Sequence, residues 1–77
     1  MEELIKNIIK AIVDKPDKVQ VNEVESDITK IYEIAVGEGD IGKVIGKRGK
    51  NIGAIKTLVS AVSAKEGGKR SILELIE

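Results

Sequence analysis

The chain has 77 residues, 13 basic and 13 acidic side chains, and no cysteine or histidine. One domain spanning 1–77 is therefore expected, without disulfides or thiolate metal sites, and without the side chain that most often serves as general base. No apolar run exceeds three residues, which is too short for a membrane span or the core of a secretory signal, so no membrane partner and a cytoplasmic location are expected.

Residues 2–14 predict an amphipathic helix, because Leu4, Ile5, Ile8, Ile9, Ile12 and Val13 recur with a period near 3.6. Glu2 and Glu3 occupy its first turn, where the helix dipole favours acids. Its polar face mixes charges, so the apolar stripe reads as a core face and not as a membrane-surface helix. Lys15-Pro16-Asp17 is expected to end it, since proline cannot continue a helix. Val19, Val21 and Val24 mark a first strand, Glu25-Ser26-Asp27 a polar turn, and Thr29–Val36 a second strand with Tyr32, Ile34 and Val36 on one face.

The next stretch, residues 37–53, holds six of the eight glycines. Asp40 is expected to N-cap a short helical turn ending at Ile45. Ile52, Ile55, Leu58, Val59 and Val62 trace a second amphipathic helix over about residues 51–65, stopped by Gly67-Gly68. Arg70–Ile76 is rich in isoleucine and leucine and predicts a last strand. The order α-β-β-α-α-β gives an α+β fold, a three-stranded sheet with helices packed on one face.

Charge divides unevenly along the chain. Residues 1–40 carry five basic and ten acidic groups, and residues 41–77 carry eight and three. Between Ile41 and Lys65 there are six positive charges and no negative one. That asymmetry points to an anionic partner for the second half, unless folding mixes the halves and cancels the field.

Two glycine patterns compete in the middle segment. Gly37, Gly39 and Gly42 match G-x-G-x-x-G, but a dinucleotide site needs a long helix after the third glycine and an acidic residue some twenty positions on, at the end of the next strand. Here Gly46 interrupts the helix, and that count falls on Thr57–Val62, inside another one. The phosphate-loop pattern also fails, because Arg48 stands where a magnesium-binding Ser or Thr is required. No acidic loop has calcium-site spacing, and no carboxylate pair or nucleophile supports an enzyme, so no cofactor, metal or small-molecule substrate is expected.

The second pattern, Gly46-Lys47-Arg48-Gly49, lies within Val44-Ile45-Gly46-Lys47-Arg48-Gly49-Lys50-Asn51-Ile52. This segment resembles the KH-domain signature, and the element order around it resembles the type II arrangement. A type I domain would need two strands and a further helix after the loop. The physics of such a loop is clear. Glycines let a sugar–phosphate backbone approach, the following helix turns free N–H groups and positive dipole toward phosphate, and basic side chains at the tip add charge. The residues expected to contact RNA are Gly46, Lys47, Arg48, Gly49, Lys43, Lys50, Ile45 and Asn51. Ile45, Ile52 and a residue of the second strand are candidates for an apolar floor under the bases, against plain core packing. Lys56 and Lys65 read as solvated surface charges. With one aromatic residue, Tyr32, the chain cannot supply the stacking platforms of RNA-recognition motifs or oligonucleotide-binding barrels.

Length, order and the I-G-K-x-G-x-x-I core together resemble the small stand-alone bacterial KH proteins of the KhpA family. That resemblance implies a non-catalytic protein binding single-stranded RNA in the cytoplasm, an RNA chaperone or post-transcriptional regulator linked to cell-envelope growth and cell shape. It also implies a homodimer, or a heterodimer with a KhpB-like KH protein. The alternative is a protein-interaction module with incidental RNA binding, in which Ala54, Ala61 and Ala64 of the second helix admit a partner.

Overall fold

A computed structural model describes residues 1–76. Helix α1 (Glu2–Ile12) leads into strands β1 (Gln20–Glu25) and β2 (Thr29–Ala35), followed by helices α2 (Ile41–Ile45) and α3 (Lys50–Lys65) and strand β3 (Arg70–Ile76). The elements match the expected α-β-β-α-α-β order of an α+β, KH-like fold. Single 3₁₀ turns occupy Pro16–Lys18 and Lys47–Gly49.

β2 is the central strand. β1 pairs with it antiparallel, with Val21 opposite Ile34 and Val24 opposite Ile31. β3 pairs with it in parallel, with Tyr32 opposite Leu73 and Ile34 opposite Leu75. Alternation along β2 sends Tyr32 and Ile34 to one face, where Ile5 and Ile9 of α1, Val44 of α2, and Ile55 and Val59 of α3 close over them together with Val19. All three helices therefore cover the same face of the sheet.

Local boundaries differ from the sequence reading in three places. α1 stops at Ile12 and not at residue 14, and Val13 is already extended. The N–H groups of Asp14 and Lys15, which would have continued the helix, donate to the Asp40 carboxylate at 3.2 and 2.9 Å. Pro16 instead opens the 3₁₀ turn, a position where its missing N–H costs nothing. Second, Asp40 does stand at the N-cap of α2, but its side chain makes no capping hydrogen bond to that helix. Third, β2 ends at Ala35, one residue before Val36.

The β1–β2 turn is closed by Ser26, whose N–H donates to the Thr29 carbonyl at 2.8 Å. Lys69, just before β3, braces this turn by donating to Glu25 Oε2 and to the Ser26 carbonyl, both at 2.6 Å. The hydrogen bond from Lys69, then its charge, lowers the Glu25 pKa.

Tyr32 is 1% exposed. Burial, with the neighbouring Glu23 carboxylate second, pushes its hydroxyl from 10.0 up to about 12. The unfolded chain releases this proton near pH 10 and the folded chain holds it until about pH 12, so stability should stay level below that window and fall within it. Chemical denaturation across the alkaline range, with tyrosinate absorbance as a second probe, measures this. Replacing Ile34 by alanine should remove about 2–5 kcal/mol of unfolding free energy, since its side chain is fully buried in the core cluster.

Candidate nucleic-acid interface

The corner between α2 and α3 is built from backbone conformations that few residues adopt. Gly46 ends α2 with φ 76° and ψ 172°, and its N–H donates to the Gly42 carbonyl at 2.9 Å. That region of backbone space is essentially reserved for glycine. Space makes the same demand, because a Cβ on Gly46 would lie 2.6 Å from Cγ of Asn51. Arg48 and Gly49 follow in left-handed conformations, at φ 57° and 75°. The turn is closed by the Gly49 N–H donating to the Gly46 carbonyl at 3.1 Å.

Asn51 holds this corner from the far side. Its Nδ2 donates to the Lys43 carbonyl at 2.8 Å, satisfying one of the acceptors that the end of α2 leaves open. The first turn of α3 is thereby stapled to the last turn of α2. Asn51, one of the expected RNA contacts, engages its amide nitrogen with the Lys43 carbonyl and stays exposed.

Lys47 and Arg48 project from the loop tip and are exposed. Among the described residues, neither they nor Lys50 form an ion pair, whereas Lys43 lies 3.5 Å from Asp14. Behind the tip starts the 16-residue helix α3, which carries the positive end of its dipole here; the Lys50 N–H donates back to the Lys47 carbonyl, and the next N–H groups have no intrahelical acceptors. The corner thus offers approachable backbone, free cations and a helix N-terminus within one turn of chain.

The expected apolar floor divides. Ile45 is 38% exposed beside the loop, while Ile52 packs against the core. The inward residues of β2, Tyr32 and Ile34, are fully covered and cannot be reached. An open groove lies elsewhere, between α3 and β3, lined on the helix side by Lys56, Ser60 and Ser63 and on the other by Lys69, Arg70 and Ile72. Ser63 and Ser71 hydrogen-bond across its depth. Gly53 lies on the same helical face as Lys56 and Ser60, and a Cβ there would touch nothing within 4 Å. It therefore forms open surface and not a close helix contact.

Lys56 was read as a plain surface charge, and Lys69 and Arg70 were not singled out. The spacing of Gly53, Lys56, Ser60 and Ala64 along one stripe of α3 was the available signal. It became meaningful only once β3 stood beside it. The other glycine pattern dissolves, with Gly37 and Gly39 in the β2–α2 connection and Gly42 inside α2, so no long helix follows it.

Gly46→Ala should cost about 1–3 kcal/mol of stability from backbone strain alone, with the collision against Asn51 added. Thermal unfolding measures the loss. Chemical-shift changes should centre on Lys43, Asn51 and the loop while the sheet keeps its spectrum.

A family model described as "KhpA/KhpB, KH domain" matches residues 2–75. The RNA-binding protein KhpA of Caldanaerobacter subterraneus subsp. tengcongensis is 51% identical over 76 residues, covering 99% of this chain and 100% of its own. The RNA-binding protein KhpA of Chlamydia trachomatis is 47% identical over 77 residues, covering 100% of this chain and 97% of its own. That of Listeria monocytogenes is 46% identical over 77 residues, covering the whole of both. With a matched family model over nearly its whole length and full-length relatives at this level of identity, the chain belongs to the KhpA/KhpB family of KH domains, a non-catalytic family.

Proposed function

We propose that this chain binds single-stranded RNA, gripping the sugar–phosphate backbone with Gly46-Lys47-Arg48-Gly49 and laying bases toward the α3–β3 groove. The observation that carries the reading is the loop itself. Gly46 occupies a glycine-only conformation, and the exposed, unpaired Lys47 and Arg48 stand at the N-terminus of α3. Phosphate there meets N–H donors, dipole and two cations together. Lys50 and Lys56 extend the positive track along α3, and Lys43 joins it when the Asp14 contact gives way. The relatives' names support RNA as the ligand.

The burial of Tyr32 leaves no aromatic side chain for stacking. Base contacts are then aliphatic and polar, through Ile45, Ser60 and the β3 side of the groove, and affinity is modest. A protein of this kind acts on RNA by many weak encounters, as a cytoplasmic RNA chaperone or post-transcriptional regulator does.

Pairing with a second KH domain is a companion reading, supported by the joint KhpA/KhpB family description and by α3. Leu58 is 44% exposed, and Ala54 and Ala61 flank it on the side of the helix away from the groove. Small residues around an exposed leucine admit another helix closely, and a second copy or a KhpB-like partner raises avidity for RNA through effective concentration.

Reversing both tip charges, Lys47→Asp with Arg48→Asp, should abolish RNA retention in a gel or filter assay and leave the circular dichroism spectrum unchanged. Unaltered binding would refute the reading. With two to four phosphate contacts, the slope of log affinity against log salt should be about −1.5 to −3. Leu58→Glu should lower the mass seen by light scattering toward that of one chain while preserving the fold. A monomer at high concentration in the wild type, with no KH partner bound, would count against pairing.

A further inference from the structure

We infer that Asp40 is a positioning residue for the RNA-gripping loop, acting through a clasp that joins the end of α1 to the start of α2; the inference rests on the RNA-binding reading above. Asp40 is 2% exposed. Among the described residues no basic side chain pairs with its carboxylate. Backbone dipoles hold it instead, with the Asp14 N–H on Oδ1 and the Lys15 N–H on Oδ2. The same residue starts α2, because its carbonyl accepts from the N–H groups of Lys43 and Val44 at 3.0 and 3.2 Å. One residue is therefore fastened to both segments.

Three further contacts close the same seam. Lys15 Nζ donates to the Glu38 carbonyl at 2.7 Å. The Lys15 side chain lies against Gly37 so closely that a Cβ there would stand 2.9 Å from its Cδ. Lys43 reaches Asp14 at 3.5 Å. The first two tie the connection after α1 to the connection before α2, and the third ties it to α2 itself.

The clasp matters because α2 has five residues, far below the length at which a helix holds itself together. Its only fully buried side chain is Val44. The orientation of α2 decides where Gly46 and the loop tip stand relative to the N-terminus of α3. If the clasp opens, the loop spends only part of its time in the gripping pose, and apparent affinity falls by that fraction.

Asp40→Asn keeps the shape but presents an N–H₂ group to one of the two backbone N–H donors, so one bond becomes a repulsion. At a temperature where the variant is folded by circular dichroism, RNA affinity should fall on the order of tenfold. The salt slope should stay unchanged, because the bound loop still makes the same phosphate contacts and only its population falls. Amide exchange should accelerate at Lys43, Val44, Gly46 and Gly49 and stay slow at Ile9 and Val59. Should the variant fail to fold, Lys15→Ala opens the same seam from an exposed position, with Lys10→Ala on α1 as the control for lost charge. A smaller loss of affinity than in Asp40→Asn, absent in the control, supports the clasp. Unchanged affinity in a folded Asp40→Asn or Lys15→Ala would overturn it while leaving RNA binding intact. Absence of RNA binding in the wild type would overturn the functional reading and the inference with it.

Discussion

The parallel pairing of β2 with β3 is the constraint from which the rest of this small structure follows. Thr29 stands opposite Arg70, and Ala35 opposite Ile76. A tight turn can join only antiparallel strands. After Ala35 the chain must travel back along the whole sheet before β3 begins. That return contains α2, the glycine corner and α3, and it must cover Tyr32 and Ile34 on the way. Ile55 and Val59 do most of this covering, so α3 is long and lies on the sheet. α2 is the short remainder that connects strand to helix, and the corner between them is where the path reverses. The glycine loop is thus a product of topology.

A corner of this kind needs unusual backbone, and here the requirement becomes chemistry. Gly46 is demanded by conformation before any ligand is considered, and Gly49 eases the left-handed turn that follows. Asn51 converts the close passage of α2 and α3 into a staple, through a carbonyl that would otherwise lack a partner. Asp40 does the same for the α1 side. The corner is held by hydrogen bonds between side chain and backbone from two directions, which suits a domain with eight buried apolar core members among the described residues.

Charge follows a similar division of labour. The negative first half and positive second half do meet in space. Both ion pairs, Lys43 with Asp14 and Lys69 with Glu25, join a cation of the second half to an acid of the first. These contacts consume charge at the base of the loop and at the far end of the groove. Lys47, Arg48 and Lys50 lie at the tip, beyond the reach of the acids in the first half, and stay free for an anion. Exposed pairs contribute little to stability; what they decide is which cations are left over.

Local physics made much of this legible. The 3.6 period of the isoleucines in α1, the β-branched alternation of Thr29–Val36 and the glycine stops each report a steric preference within a few residues. Strands and helices accordingly appear within a residue or two of their expected limits. The Gly46–Gly49 spacing was equally readable, because backbone angles that favour glycine leave their mark in the residues themselves. The sequence by itself determined the elements, their order, and the loop with its basic residues. Only the tertiary structure decided that the Asp40 carboxylate holds the chain after α1 and does not cap the helix it precedes, that Tyr32 is sealed away, and that Lys56 and Arg70 face one groove. Those outcomes depend on contacts between residues such as Asp14 and Asp40, 26 positions apart. Such pairs leave no period in the chain and exist only once the crossover has laid α3 beside β3.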